Sequence, residues 1–294
     1  MRPFTILLTV ALMFLVGGCG HDTDRMGGSG LIETDEVITG AETSGRVLAL
    51  YAVEGGTVAR GDTLAMIDPS RIELELASAR AGRKVLTANL KTARLTIEQA
   101  TVSETYAKSE LARITRLLSA GTATQKQHDA VQFEHNQASI AAATARSSAS
   151  SLEAQIEKAD ADIARLQRQL ADCYPTAGLT GTVVETYVDP GELLSPGRAI
   201  AKLARLDTVW VKVYLPAGQF ARVKLGDKAS VDTEIEGGQY EGTVVWTSSE
   251  AEFTPKNVQT EQSRADLVYA VKVRIPNADR TLKIGMPLYV SLEQ

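Results

Sequence analysis

The chain is poor in the residues that usually announce chemistry. It has two cysteines and three histidines in 294 residues. His128 and His135 stand seven apart on one helical stretch, too far for the i, i+4 pair that a helix face offers a metal, and no metal is expected. Cys173 has no histidine at a useful spacing, so it does not read as a catalytic thiol. Aromatic residues make up only 5% of the chain, as expected when a large part of it is too thin to enclose a wide core. Positive charge is not in excess either. The formal net charge is −5, and no basic cluster with interleaved aromatics appears, which argues against a nucleic-acid partner. Long apolar runs are missing except Phe4 to Val16, about 13 residues and short for a spanning helix.

What is present in quantity is helical period. Stepping alternately four and three residues from Ile72 to Leu118 meets only two non-apolar residues, Arg83 and Glu104. The same stepping from Val131 to Leu170 meets only His135. An apolar repeat of this kind, sustained over about six heptads, is a coiled-coil seam. Asp68 and Pro69 offer a cap and a first-turn proline, and Ser70 with Glu73 repeats the capping signal. Gly121 ends the first helix, while Thr124 and Gln127 form a capping box for the second. So short a break forces the helices antiparallel, and each arm is roughly 70 Å long at 1.5 Å rise per residue. Small residues crowd Ala138 to Ser151, either for close backbone approach or for helix propensity.

The N-terminus carries Arg2, the apolar run, and then Val16-Gly17-Gly18-Cys19, an export signal. Small residues before a cysteine resemble a bacterial lipobox. That resemblance implies cleavage after residue 18, lipidation of Cys19 and a membrane at one end of the molecule; an uncleaved anchor or an ordinary signal peptide is the alternative. With Cys19 acylated the mature chain has no internal disulfide. Gly20 follows where an Asp would typically retain a lipoprotein in the inner membrane of enteric bacteria, so either membrane is open. Residues 20–30, polar and glycine-rich, are expected to form a flexible tether.

The segments flanking the helices repeat one another. Ser44 to Ile67 and Thr180 to Leu203 align without gaps, pairing Gly45 with Gly181, Val47 with Val183, Gly55 with Gly191 and Gly61 with Gly197. Each copy reads as short strands with glycines at turns, and neither buries both faces alone, so the two should pair into one small β-sandwich with the hairpin inserted at its tip. Residues 205–294 then alternate with period two at Val209 to Leu215, Gly242 to Trp246, Leu267 to Ile275 and Leu288 to Leu292, with a short helix expected within Pro216 to Leu225. An all-β unit of this size closes into a barrel to remove its edges, and Leu31 to Gly40 is placed to complete it. The reading is an α+β multidomain chain: barrel at 31–43 and 205–294, split sandwich at 44–68 and 175–204, hairpin at 69–172.

The half-motif Glu54-Gly55-Gly56-x-Val58-x-x-Gly61-Asp62-x-Leu64 resembles the lipoyl/biotinyl domain, and its interruption by a helical hairpin resembles the HlyD-like periplasmic adaptors, or membrane fusion proteins. Carrier domains of that fold present a modified lysine on the turn that the hairpin replaces here, so no cofactor is expected and an enzyme is not. The usual Ala-Pro-x-x-Gly entry to the second half is replaced by Ala177-Gly178-Leu179-Thr180-Gly181, with Pro175 upstream, so a softer exit from the hairpin is expected. Arg113, Leu117 and Thr124 are similar to the R-x-x-x-L-x-x-x-x-x-x-S pattern with which such adaptors dock onto TolC-like outer-membrane channels, with Thr for Ser. Read without the family, Leu117 is hairpin packing, Arg113 solvated and Thr124 a cap. Ala251 to Lys256, Leu267-Val268-Tyr269 and Leu282 to Pro287 resemble the branch serving ABC-type exporters. Many adaptors continue into a membrane-proximal domain, which is expected to be missing or minimal here. The resemblance implies a ring, of six copies, bridging an inner-membrane ABC-type exporter and the channel, with the lipid on a membrane. The alternative is a periplasmic coiled-coil scaffold or ligand-binding lipoprotein without a pump.

Overall fold

The computed structural model describes residues 26–233, 238–253 and 267–292. Cys19 and the export signal lie outside them, as do Thr254 to Lys256. The described chain opens with β1 (Gly27–Glu33) and β2 (Glu36–Gly40), followed by β3 (Gly45–Leu50), β4 (Thr57–Val58) and β5 (Ala65–Ile67). Two long helices come next, α1 (Ser70–Ser119) and α2 (Gln125–Asp172). After them the chain returns as β6 (Gly181–Thr186), β7 (Leu193–Leu194) and β8 (Ala199–Ala204). The last part holds β9 (Thr208–Pro216), the short α3 (Ala217–Phe220), β10 (Lys228–Thr233), β11 (Gln239–Thr247), β12 (Glu252–Phe253), β13 (Leu267–Pro276) and β14 (Pro287–Leu292). No helix among the described residues is long and apolar enough to cross a membrane.

The hairpin follows its period. At 1.5 Å per residue α1 is about 75 Å long. The Asp68 carboxylate accepts from Ser70 N at 3.0 Å and Ser70 Oγ at 2.6 Å, so the first turn is capped from one residue before the proline, not by the Ser70 and Glu73 pair. The two exceptions in the first helix's seam pair with the facing helix: Arg83 with Asp160, and Glu104 with Arg146 at 3.1 Å. A third bridge, Arg94 to Glu153 at 3.1 Å, lies between them. All three are solvent-exposed, so their main effect is to set register and add little stability. Ala142, Ala145 and Ala149 are buried, and side chains so small are buried only where the helices run close.

The sandwich keeps the duplication as geometry. Its sheets are β2-β8-β6-β4 and β5-β3-β7, so β3 of the first copy pairs with β7 of the second, while β6 of the second pairs with β4 of the first. The turns match bond for bond. Gly55 N donates to Val183 O and Gly191 N to Val47 O, both at 2.8 Å, and all four turn glycines, Gly55, Gly61, Gly191 and Gly197, have φ between +78° and +95°, a region other residues enter only at a cost. Val47, Leu64, Ile67, Val183, Ile200 and Leu203 fill the space between the sheets. The exit from the hairpin is tied down rather than soft, because Ile67 N donates to Cys173 O and Leu64 N to Pro175 O, both at 2.8 Å. Cys173 is buried and free.

In the last part, six strands run β11-β10-β14-β1-β9-β13 and close through a β11 to β13 pairing, with β12 added at β13. Val209, Val211, Val213, Leu215, Val271, Val273 and Ile275 point inward and are fully buried. β10 was not legible in the sequence, since Lys228-Ala-Ser-Val-Asp-Thr233 alternates with small and polar residues.

Two expectations at the N-terminal end are corrected. The tether was expected to reach residue 30, but β1 begins at Gly27 and pairs with β14 from Gly27↔Ser291 onward. Its glycines serve close approach: a Cβ on Gly27 would stand 2.1 Å from Val290 O, and one on Gly30 2.5 Å from Lys212 O. Leu31 to Gly40 is likewise two strands with different partners. β1 ends in the barrel, and β2 pairs with β8 in the sandwich, where Glu36 meets Lys202 at 2.9 Å. The turn between them is held by the Thr34 hydroxyl, which donates to Arg205 O.

Asn277 ties the segment entering β9 to the loop before β14 within the barrel unit. It is fully buried; its Nδ2 donates to Leu206 O (2.7 Å) and Leu282 O (3.0 Å), and its Oδ1 accepts from Leu282 N (3.1 Å). Asn277→Ala strands a backbone donor and two carbonyls without water. We expect it to lower unfolding stability by about 2–3 kcal/mol in urea titration, and an unchanged midpoint would contradict the clamp.

Candidate docking site at the hairpin tip

The tip is built by the end of α1, a glycine turn and the start of α2. Ile114 and Leu118 are half-buried toward α2, which turns Arg113 and Leu117, one helical turn apart, outward. Leu117 is 36% exposed, large for an apolar side chain beside an apolar seam. Gly121 takes φ +77° and closes the helix by donating to Leu118 O at 3.0 Å. Thr122 then donates twice to Leu117 O, from N at 2.9 Å and from Oγ1 at 3.0 Å. Thr124 caps α2: its Oγ1 accepts from Gln127 N at 3.3 Å, and Gln127 Oε1 accepts from Thr124 N at 2.8 Å. The turn is therefore saturated with internal hydrogen bonds, which makes it a firm platform for the exposed pair.

Arg113 does not stand alone. Its Nε donates to Glu110 Oε2 at 2.9 Å, and Nη2 donates to the other carboxylate oxygen. The hydrogen bond and the charge from Arg113 hold the Glu110 carboxyl below its ordinary range. The fork is thereby oriented along the helix, and Nη1 is left to bond a second acceptor. Sequence reading missed this partner, though the i, i+3 spacing of Glu110 and Arg113 was there to be read. Thus Arg113, Leu117 and Thr124 all fall at the tip, two as an exposed polar and apolar pair and the third with its hydroxyl committed to the helix cap. What the tip offers a partner is an oriented cation beside an apolar knob.

Comparison with known proteins bears on what carries this tip. Residues 35–204 match the family model described as RND MFP, barrel-sandwich hybrid domain. A UPF0194 membrane protein of Acidithiobacillus ferridurans is 38% identical over 139 residues, 47% of this chain and 40% of that protein. A UPF0194 membrane protein of Yersinia pseudotuberculosis is 27% identical over 290 residues, 90% of this chain and 88% of the relative. The crystal structure of MacA from Actinobacillus actinomycetemcomitans is similar in fold, with a TM-score of 0.66 at 20% identity, covering 91% of this chain and 78% of that one. The family match spans both halves of the sandwich and the hairpin between them, the same split unit that the paired turns reveal, and on that ground the chain belongs to the membrane fusion protein family of periplasmic adaptors.

Proposed function

We propose that this adaptor links an inner-membrane exporter of the ABC type to a TolC-like outer-membrane channel, and that the channel is met by the hairpin tip through Arg113 and Leu117. The observation that carries the reading is the exposure of that pair at the end of an arm about 75 Å long, on a turn whose backbone is already satisfied. An adaptor of this kind does no chemistry, and energy comes from the pump. Cys19, lipidated, would hold the base to a membrane, most simply the inner one. Several copies, six on the family resemblance, would surround the conduit. The ABC assignment rests on the resemblance at Ala251 to Lys256, Leu267 to Tyr269 and Leu282 to Pro287.

In-cell cross-linking tests the tip. A photoreactive residue in place of Leu117 is expected to capture an outer-membrane channel protein during active export. Capture of only a second copy, or of nothing, would favour the scaffold reading.

A further inference from the structure

Both tryptophans of the chain stand on one outer wall of the barrel, and so does a concentration of positive charge that the net charge of −5 does not foretell. Across β9 and β13 the ladder sets Lys212 directly opposite Lys272 and Trp210 opposite Arg274, while β11 brings Trp246 opposite Lys272. Like charges directly opposite on a sheet repel. Among the described residues neither lysine, nor Arg274, nor the nearby Arg205 is in an ion pair. Each lysine instead lies over an indole: Lys272 Nζ stands 3.4 Å from the Trp210 ring centre, and Lys212 Nζ 6.0 Å from that of Trp246.

Between these side chains run two adjoining clefts that share Trp210, Val245 and Lys272. One, of about 300 Å³, reaches Arg205, Arg274 and Thr208 at the junction with the sandwich; the other, of about 420 Å³, reaches Lys212 and Trp246. Among the described residues Asp35 is the one acidic side chain lining either. The indole Nε1–H of Trp210 is shut off from solvent and has no partner among the described residues. A buried unpaired donor and a repelling lysine pair are both costs in the free protein, and an anion placed between the lysines relieves the second. The indole faces and Val245 supply the apolar contact that a bare ion cannot use.

We propose that this groove binds an amphipathic anion, a phosphate or carboxylate head held between Lys212 and Lys272 with its apolar body along Trp210, Val245 and Trp246. The inference is independent of the tip and of the pump. Head and body are recognised by different walls, and so each can be removed separately.

Because both tryptophans line the groove, intrinsic fluorescence reads its occupancy directly. Titration with dodecyl phosphate below its micelle concentration is expected to give a saturable change. Dodecyl maltoside, with the same tail and no charge, and pyrophosphate, with charge and no tail, are expected to give none at that concentration. Lys212→Gln combined with Lys272→Gln should weaken dodecyl phosphate binding at least about tenfold, while circular dichroism and the unfolding midpoint stay those of a folded barrel. An equal response to the maltoside or to pyrophosphate, or an unchanged affinity in the double variant, overturns the proposal. Sedimentation with phosphatidylglycerol vesicles separates the sources: lysine-dependent cosedimentation means that the amphiphile is met in a bilayer, and its absence beside a positive titration means that it is met free in solution.

Discussion

Arg113→Asp is expected to reduce export to the level of a strain lacking the adaptor, with the protein as abundant and as helical as before. The side chain is more than half exposed, and its one ion pair, to Glu110, is a surface contact within a single helix, so the fold does not depend on it. Its reversal leaves two carboxylates facing each other at i, i+3, a small perturbation of a helix tied along its length to α2. What changes is the sign offered to a partner: a fork that donates to acceptors becomes a group that repels them. A charge swap sharpens the test. Glu110→Arg with Arg113→Asp restores the local pair but displaces the cation by nearly a turn. If position governs docking, the swap remains inactive. Normal export in Arg113→Asp alone removes the tip from the docking role and leaves Arg113 as a solvated residue. Recovery in the swap would show that the local pair, and not the place of the cation, is what export requires.

Gly30→Val is expected to destabilise the barrel by about 3 kcal/mol or more, as overpacking against backbone does where nothing can move aside. The added Cβ would stand 2.5 Å from Lys212 O and 2.6 Å from Val211 Cγ2. β1 lies between β14 and β9, and its displacement opens the closed sheet. Trp210 and Trp246 sit in β9 and β11, so urea unfolding followed by fluorescence reports on this unit. Gly82→Ala is the control. Nothing lies within 4 Å of a Cβ there, about a quarter of the way along α1, and the change should be neutral or stabilise by up to about 1 kcal/mol. A neutral Gly30→Val would return residues 27–30 to the role of a tether.

The two variants mark different kinds of legibility. The hairpin could be read because a coiled-coil seam is a local, repeated pattern: each seam position is decided by neighbours three and four residues away. Even its exceptions were informative, since Arg83 and Glu104 fall where Asp160 and Arg146 reach across. The split sandwich could be read because duplication preserved its turn glycines, which left-handed backbone demands at matching places. The tip residues were legible from spacing, but the Glu110 partner and the commitment of the Thr124 hydroxyl to its cap emerged only with coordinates.

The sequence by itself determined the architecture: two long antiparallel helices, a duplicated β unit around them and a strand-rich end. These follow from period and repetition, which are read along the chain without its neighbours in space. Only the tertiary structure decided where the first strands go. Glycines that signal a flexible tether by composition are the same glycines that let β1 press against Val290 and Lys212, and the chain cannot say which until its neighbours in space are known. The Trp210, Lys212, Trp246 and Lys272 groove is of the same kind. Its parts come from three strands far apart in sequence, each with an ordinary alternation, and only the register of β9 on β13 and of β13 on β11 sets them side by side.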